Sequence, residues 1–113
     1  MPGPLIPLGT QSKLAVTNGA VITLTLPTAQ GMFPSHMIIN VQTGDVRYTT
    51  DGTTPVTGAA GTGIGIVALA GSTISFMDAN FDYRTMIRGF KVIASTATAA
   101  TLDIAYFSSW ASV

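Results

Sequence analysis

The sequence lacks cysteine and glutamate altogether, and only 9% of its 113 residues are charged, against roughly a quarter in ordinary soluble domains. No disulfide or thiolate site is therefore possible, although a chain of this length buries a core without cross-links. One histidine and five aspartates are the acid–base groups that remain. Because these groups leave little for acid–base or nucleophilic catalysis, we predict that the protein is not an enzyme and holds no cofactor.

Charge of a dominant sign is also missing, since five basic residues balance five acidic ones. Bulk charge therefore attracts neither nucleic acid nor an anionic membrane. The longest apolar run, at 64–70, is far short of the roughly 20 residues that cross a bilayer, and the first residues lack a signal peptide's basic and long apolar regions. Few charges leave a mildly apolar surface and little self-repulsion, so we expect the protein to assemble into a homo-oligomer or onto another protein.

The residues that are present alternate in the manner of β-strands. Val46 and Tyr48 alternate with Asp45 and Arg47, which is the period of a half-buried strand. An Asp-Gly dipeptide and a proline follow, and these residues turn the chain and end the strand.

The same pattern recurs and predicts about eight short strands at 8–12-residue spacing. The predicted strands are 12–17, 20–26, 36–42, 45–50, 64–69, 72–77, 86–95 and 99–107. We expect hairpins at Asn18-Gly19 and Ala70-Gly71 and a last pair formed by 86–95 and 99–107, with 78–85 a loop or one helical turn. The predicted fold is all-β, a single-domain antiparallel β-sandwich or barrel of the jelly-roll type.

The N-terminal residues differ from the rest because three of the first seven are proline. We predict an extended, proline-rich arm over 1–11 and the β-sandwich domain over 12–113. Because Leu5, Ile6 and Leu8 are apolar, we expect the arm to pack against protein and not to extend free into solvent. It either folds back on its own domain or lies across a neighbouring subunit.

Three other patterns imitate functional sites. His36 opens an apolar strand and is expected to be structural, although Ser35 and Asp51 would complete a Ser-His-Asp set. The stretch 57–65 has the glycines of a dinucleotide-binding turn at the wrong spacing, which predicts a flexible loop. Asp78-Ala79-Asn80-Phe81-Asp82 begins like a calcium loop but lacks its later glycine and glutamate, so capping of backbone N–H groups and calcium binding both stay open.

Three basic side chains lie close together in the sequence, at Arg84, Arg88 and Lys91. A nucleic-acid site would need a larger patch without the neighbouring aspartates. We interpret these residues as surface ion-pair partners or as contacts to a neighbouring subunit.

Two stretches carry a resemblance to a known group of proteins. The decapeptide 46–55 (VRYTTDGTTP), a glycine-rich connection and then 69–74 (LAGSTI) together resemble a pattern in small virion proteins of tailed bacteriophages. These are commonly capsid decoration (cement) or other head-associated proteins. The resemblance implies a β-sandwich that docks on the assembled capsid as a homo-oligomer, with the major capsid protein as its partner and the virion surface as its location. The length and the Met1 start are those expected of a complete small gene product.

The decapeptide also resembles one in Ig-like accessory modules of secreted bacterial carbohydrate-active enzymes. Those modules are parts of long chains, and they stack sugars on several surface aromatic residues. The sequence supplies only one tryptophan, so this function is the alternative.

Six side chains are our candidates for contact with a partner, because they are large, apolar and outside the predicted core strands. They are Leu5, Ile6, Leu8, Met32, Phe33 and Trp110. Phe107 is a further candidate, but core packing is the expected role of its side chain.

Overall fold

The computed structural model describes residues 5–28, 31–58, 62–78, 80–96 and 98–109. The all-β prediction is confirmed, since these ranges contain eight strands and one short helix. None of the helical residues in these ranges forms a segment long and apolar enough to cross a membrane. The elements are β1 Leu5–Val16, β2 Ile22–Thr23, β3 His36–Thr43, β4 Val46–Thr49, β5 Ile66–Ala68, β6 Thr73–Phe76, α1 Arg84–Arg88, β7 Lys91–Ala94 and β8 Ala100–Ser109.

The strands form two four-stranded antiparallel sheets. Sheet I has the order β1-β8-β3-β6, and sheet II has the order β2-β7-β4-β5. The first four strands pair with the last four in reverse, as β1 with β8, β2 with β7, β3 with β6 and β4 with β5. This arrangement is a long double-stranded ribbon folded over on itself, which is the jelly-roll form of the β-sandwich.

The predicted hairpins are wrong, although the turns that suggested them exist. The Asn18-Gly19 turn carries the chain from β1 in sheet I to β2 in sheet II, and the Ala70-Gly71 turn joins β5 in sheet II to β6 in sheet I. The segments 86–95 and 99–107 likewise end in different sheets. Turn residues specify a reversal of direction but not the pairing partner, and crossing between sheets lets both strands bury their apolar faces in one core.

The core lies between the two sheets and comes from the faces that the alternation predicted. Sheet I contributes residues of all four of its strands, and sheet II contributes residues of β4, β5 and β7. The fully or nearly fully buried members include Met37, Ile39, Val41, Ile74, Phe76, Leu102, Ile104 and Tyr106 from sheet I and Val46, Val92 and Ala94 from sheet II.

The N-terminal arm is corrected over its described part. From Leu5 the chain already belongs to β1, which pairs with β8 starting at Leu5 opposite Ser109. Pro7 does not prevent this, because β1 is an edge strand and a missing N–H is tolerated on its open side. Register shifts between Pro7 and Gly9 and between Gln11 and Leu14 absorb the irregular residues. Residues 5–11 of the predicted arm therefore pair with β8 of their own domain.

The prediction of a strand from Met86 is also wrong at its start. Residues Arg84–Arg88 form α1, and the strand β7 begins only at Lys91. Apolar and polar residues alternate in this region only from Phe90 onward. The residues before Phe90 therefore lack the two-residue period of a strand. The helix begins at Arg84, inside the 78–85 segment for which a loop or one helical turn is predicted, and it extends three residues beyond that segment.

Candidate functional site

Ser35 and His36 are brought together, but deep inside the protein. The Ser35 hydroxyl lies 2.8 Å from His36 Nδ1, and His36 Nε2 lies 2.9 Å from the carbonyl oxygen of Asp78. A carbonyl only accepts, so Nε2 carries a proton and donates to the Asp78 carbonyl. Both residues are buried, at 0% and 1% exposure, while Asp51 accepts a hydrogen bond from the Thr53 N–H in the turn after β4. This histidine therefore ties β3 to the loop that precedes α1, as a structural residue does.

The aspartates of the calcium-like stretch cap backbone groups. Asp78 Oδ1 accepts from the Asn80 N–H at 2.9 Å, and Asp82 Oδ1 accepts from the Arg84 N–H at 3.0 Å. Across the described ranges no three His, Cys, Asp or Glu residues cluster in a way that suits a metal ion. The hydrogen bond from the Arg84 guanidinium holds the pKa of the Asp82 carboxyl below its ordinary value. The arrangement favours turn capping as the role of these side chains.

The three basic residues have different partners or surroundings. Arg84 makes an ion pair with Asp82, and the Arg88 guanidinium carbon lies 5.0 Å from the centre of the Phe33 ring. Lys91 is half-buried in β7, opposite Thr23 and Thr49. Cation–π contact and ion pairing account for both arginines without a nucleic-acid partner.

The outer face of β4, predicted to be solvated, is covered by the connection to β5. Arg47 is only 9% exposed, and its two terminal nitrogens lie 3.3 Å from the Gly58 carbonyl and 3.5 Å from the Gly65 carbonyl. A Cβ on Gly63 would lie 2.5 Å from the Arg47 guanidinium carbon. The described parts of this glycine-rich connection therefore pack closely on β4, where sequence reasoning predicted a flexible loop.

The predicted contact residues have different environments. Leu5, Ile6 and Leu8 are half-buried along β1. Met32 is buried at 7% exposure, so of the loop pair only Phe33, at 49%, is presented to solvent. Trp110 lies outside the described residues.

The largest set of exposed aliphatic side chains lies elsewhere, around the edge strand β5. We call it the uncharged side and define it by Val56, Ile64, Ile66, Val67 and Leu69, whose exposures are 45%, 47%, 59%, 44% and 60%. Val56 and Ile64 are joined by an antiparallel bridge just before β5. Sequence reasoning missed this surface, although one signal marked it: no charged residue occurs between Asp51 and Asp78.

A groove of about 420 Å³ runs beside β5, between the edges of the two sheets. Val67 and Leu69 line it from the β5 side, and Ile74 and Phe76 line it from β6. Exposed apolar side chains that border a groove, as Val67 and Leu69 do, are typical of an interaction site.

The turn that carries Leu69 is held firmly. The Ser72 N–H donates to the Leu69 carbonyl at 3.0 Å, and Gly71, with a φ of +85°, takes the position where a type II turn requires positive φ. The Gly71 N–H donates to the Val41 carbonyl, and the Ala70 N–H donates to Asp45 Oδ1. The uncharged side is therefore presented by an ordered backbone.

Comparison of the chain with protein-family models, with curated proteins and with solved structures finds no match.

Proposed function

We propose that this protein is a structural component of a tailed-bacteriophage virion, a decoration protein that binds the outer capsid surface as a homo-oligomer and stabilises the shell. The partners are the major capsid protein and further copies of the chain. In this role the protein bridges neighbouring capsid subunits and acts through buried surface, with no chemical step. Many copies on a lattice gain avidity from individually weak contacts.

The observation that carries the proposal is the uncharged side. Five aliphatic residues near β5 are each 44–60% exposed, in a chain whose net charge is zero. A surface of this kind is costly for an isolated molecule and is stabilised when a partner covers it. The jelly roll supports the proposal only in general terms, because capsid proteins and lectin domains share it.

The alternative, an Ig-like or carbohydrate-binding module, is less well supported. The sheet orders β1-β8-β3-β6 and β2-β7-β4-β5 differ from those of an immunoglobulin sandwich. Phe33 and Phe81 are the exposed large aromatic side chains among the described residues. Phe33 is engaged by Arg88, which leaves a poor platform for stacking sugars.

Co-sedimentation tests the proposal directly. Purified protein is added to shells of the encoding virus that were assembled without it, and separately to insoluble cellulose and chitin. We expect saturable binding to the shells, at a fixed number of copies per shell, and none to the glycans. Binding to a glycan alone would reverse the choice of function, and binding to neither would contradict both candidates.

A pair of variants tests whether the uncharged side takes part. Leu69→Asp places a charge on this side and should lower shell occupancy at subsaturating protein at least tenfold. Thr23→Asp places the same charge on β2, at the opposite edge of sheet II, and should leave occupancy unchanged. Equal shell occupancy for the two variants would show that the uncharged side takes no part in binding.

A further inference from the structure

We propose that β5 pairs antiparallel with β5 of a second copy of this chain, so that two copies join their second sheets edge to edge about a two-fold axis at Val67. The inference rests on the proposed function in one respect: it identifies a second copy of the chain as the partner that covers the uncharged side. Its test needs no capsid.

The first argument is the free edge of β5. This strand ends the order of sheet II and pairs only with β4 in the described part of the chain, from Ile66 opposite Tyr48 to Ala68 opposite Val46. In an antiparallel strand alternate residues direct both N–H and C=O to the same side. One set of these groups in β5 therefore points away from β4 and is available to another strand.

The second argument is that the remaining edges are protected and β5 is not. The edge strand β1 contains Pro7, two register shifts and the charged Lys13, which are features that discourage pairing. The edge strand β2 has only two residues. The edge strand β6 presents Thr73 and Ser75 to solvent. Only β5 combines an open edge with exposed aliphatic side chains, and its charged neighbours Asp45 and Arg47 are hydrogen-bonded to backbone groups on either side of the strand.

The third argument identifies the partner as another copy. A two-fold contact sets each surface against its own image, so a charged edge would face the same charge. The stretch from Gly52 to Met77 contains no charged residue, so β5 itself sets no like charges against each other. An uncharged strand is matched best by another uncharged strand, and the chain itself supplies one.

The area is sufficient for a specific but reversible contact. Five roughly half-exposed aliphatic side chains offer about 300 Å² of apolar surface per copy, and a two-fold contact uses this surface twice. Because interfaces are about 60% apolar, the total buried area would be roughly 1,000 Å², the lower bound for a specific interface. The ordered turn at Leu69 reduces the entropy lost on pairing. We therefore expect a dimer that exchanges with monomer in solution.

Sedimentation equilibrium of the full chain is the first test. The wild-type protein should show a concentration-dependent monomer–dimer equilibrium below about 1 mM, where weak contacts are populated. Ile66→Lys and Leu69→Lys should each raise the dissociation constant at least tenfold, whereas Thr23→Lys on β2 should not change it. A wild-type protein that stays monomeric at this concentration would overturn the inference.

Disulfide trapping is the second test, and the chain suits it because it contains no cysteine. Pairing about Val67 places the two Val67 Cα atoms roughly 4.5–5.5 Å apart, within the span of a disulfide. Val67→Cys should form a covalent dimer under mild oxidation, and Thr23→Cys should stay largely monomeric. A dimer in sedimentation without cross-linking at position 67 would place the contact elsewhere and contradict the inference.

The two proposals fail in different ways. A chain that dimerises through β5 but ignores shells refutes the virion function and leaves this inference intact. A chain that binds shells while monomeric and uncross-linked refutes this inference and leaves the function intact.

Discussion

At the scale of single residues, Tyr106 combines full burial with a polar end. The residue is 1% exposed, and its hydroxyl has no hydrogen-bond partner in the described structure. Burial raises the pKa of this hydroxyl to about 12, because the low-dielectric core disfavours the phenolate. The ring contributes to the core between the sheets, while the hydroxyl group opposes folding.

Replacing this hydroxyl should therefore stabilise the fold. We expect Tyr106→Phe to raise the free energy of unfolding by about 1 kcal/mol at neutral pH, because an unpaired buried polar group is removed. Urea unfolding of the two proteins measures the difference. A loss of stability would show that the hydroxyl makes a bond that the described contacts do not include.

The same pair of proteins should diverge further in alkali. The pKa of Tyr106 is raised from 10.0 in the unfolded chain to about 12 in the folded one. Below pH 10 this shift does not affect the free energy of unfolding, and as the pH rises from 10 toward 12 ionisation of the unfolded chain lowers that free energy. The wild-type protein should lose about 1 kcal/mol more than Tyr106→Phe between pH 8 and pH 11. A constant difference across this range would contradict the assignment, since other titrating groups are common to both proteins.

At the scale of elements, the joint between α1 and the turn after β4 depends on Gly89. This residue follows α1, and its carbonyl accepts from the Gly52 N–H at 3.0 Å. A Cβ at this position would lie 2.8 Å from the Thr50 carbonyl oxygen and 3.0 Å from the Gly52 nitrogen. Both neighbours are backbone atoms, so no side chain can move aside to make room.

We therefore expect Gly89→Ala to lower the free energy of unfolding by about 1–3 kcal/mol through overpacking. Gly19→Ala is the matched control, because a Cβ on Gly19 meets no atom within 4 Å, and it should change stability by less than about 0.5 kcal/mol. Chemical denaturation of the three proteins is the measurement. Similar midpoints for the two variants would show that the joint relaxes freely.

The individual elements were largely predictable from the sequence where alternation is strict. The buried faces of β3, β7 and β8 follow from Met37-Ile39-Val41, Phe90-Val92-Ala94 and Leu102-Ile104-Tyr106, because a period of two places such residues on one side of a strand. Arg47 shows where this reasoning fails. Its face of β4 is polar yet buried, since the connection to β5 covers it, and no local pattern encodes a covering loop.

At the scale of the whole molecule, the last strand is central to the fold. β8 lies between β1 and β3 in sheet I and pairs with both. Its inner residues Leu102, Ile104 and Tyr106 are all at least 98% buried. The two sheets therefore cannot enclose a complete core until the end of the chain has been added.

A chain ending at Thr98 should accordingly show no cooperative unfolding transition. A chain beginning at Leu8 is the control, because it loses only the outer pairs of β1 with β8, and it should still unfold cooperatively. Thermal denaturation followed by circular dichroism measures both. A sharp transition in the chain ending at Thr98 would show that the remaining strands enclose a stable core without β8.

The sequence by itself determined that this chain forms short, half-buried strands around one core, because alternation and turn residues act over a few neighbouring positions. It also determined that the surface is poor in charge, because composition alone fixes that property. Only the tertiary structure decided which strands pair, that residues 5–11 join sheet I, and that the exposed aliphatic side chains gather at the edge strand β5. These features depend on residues far apart in the chain, and each strand has several partners that would satisfy its local pattern equally well.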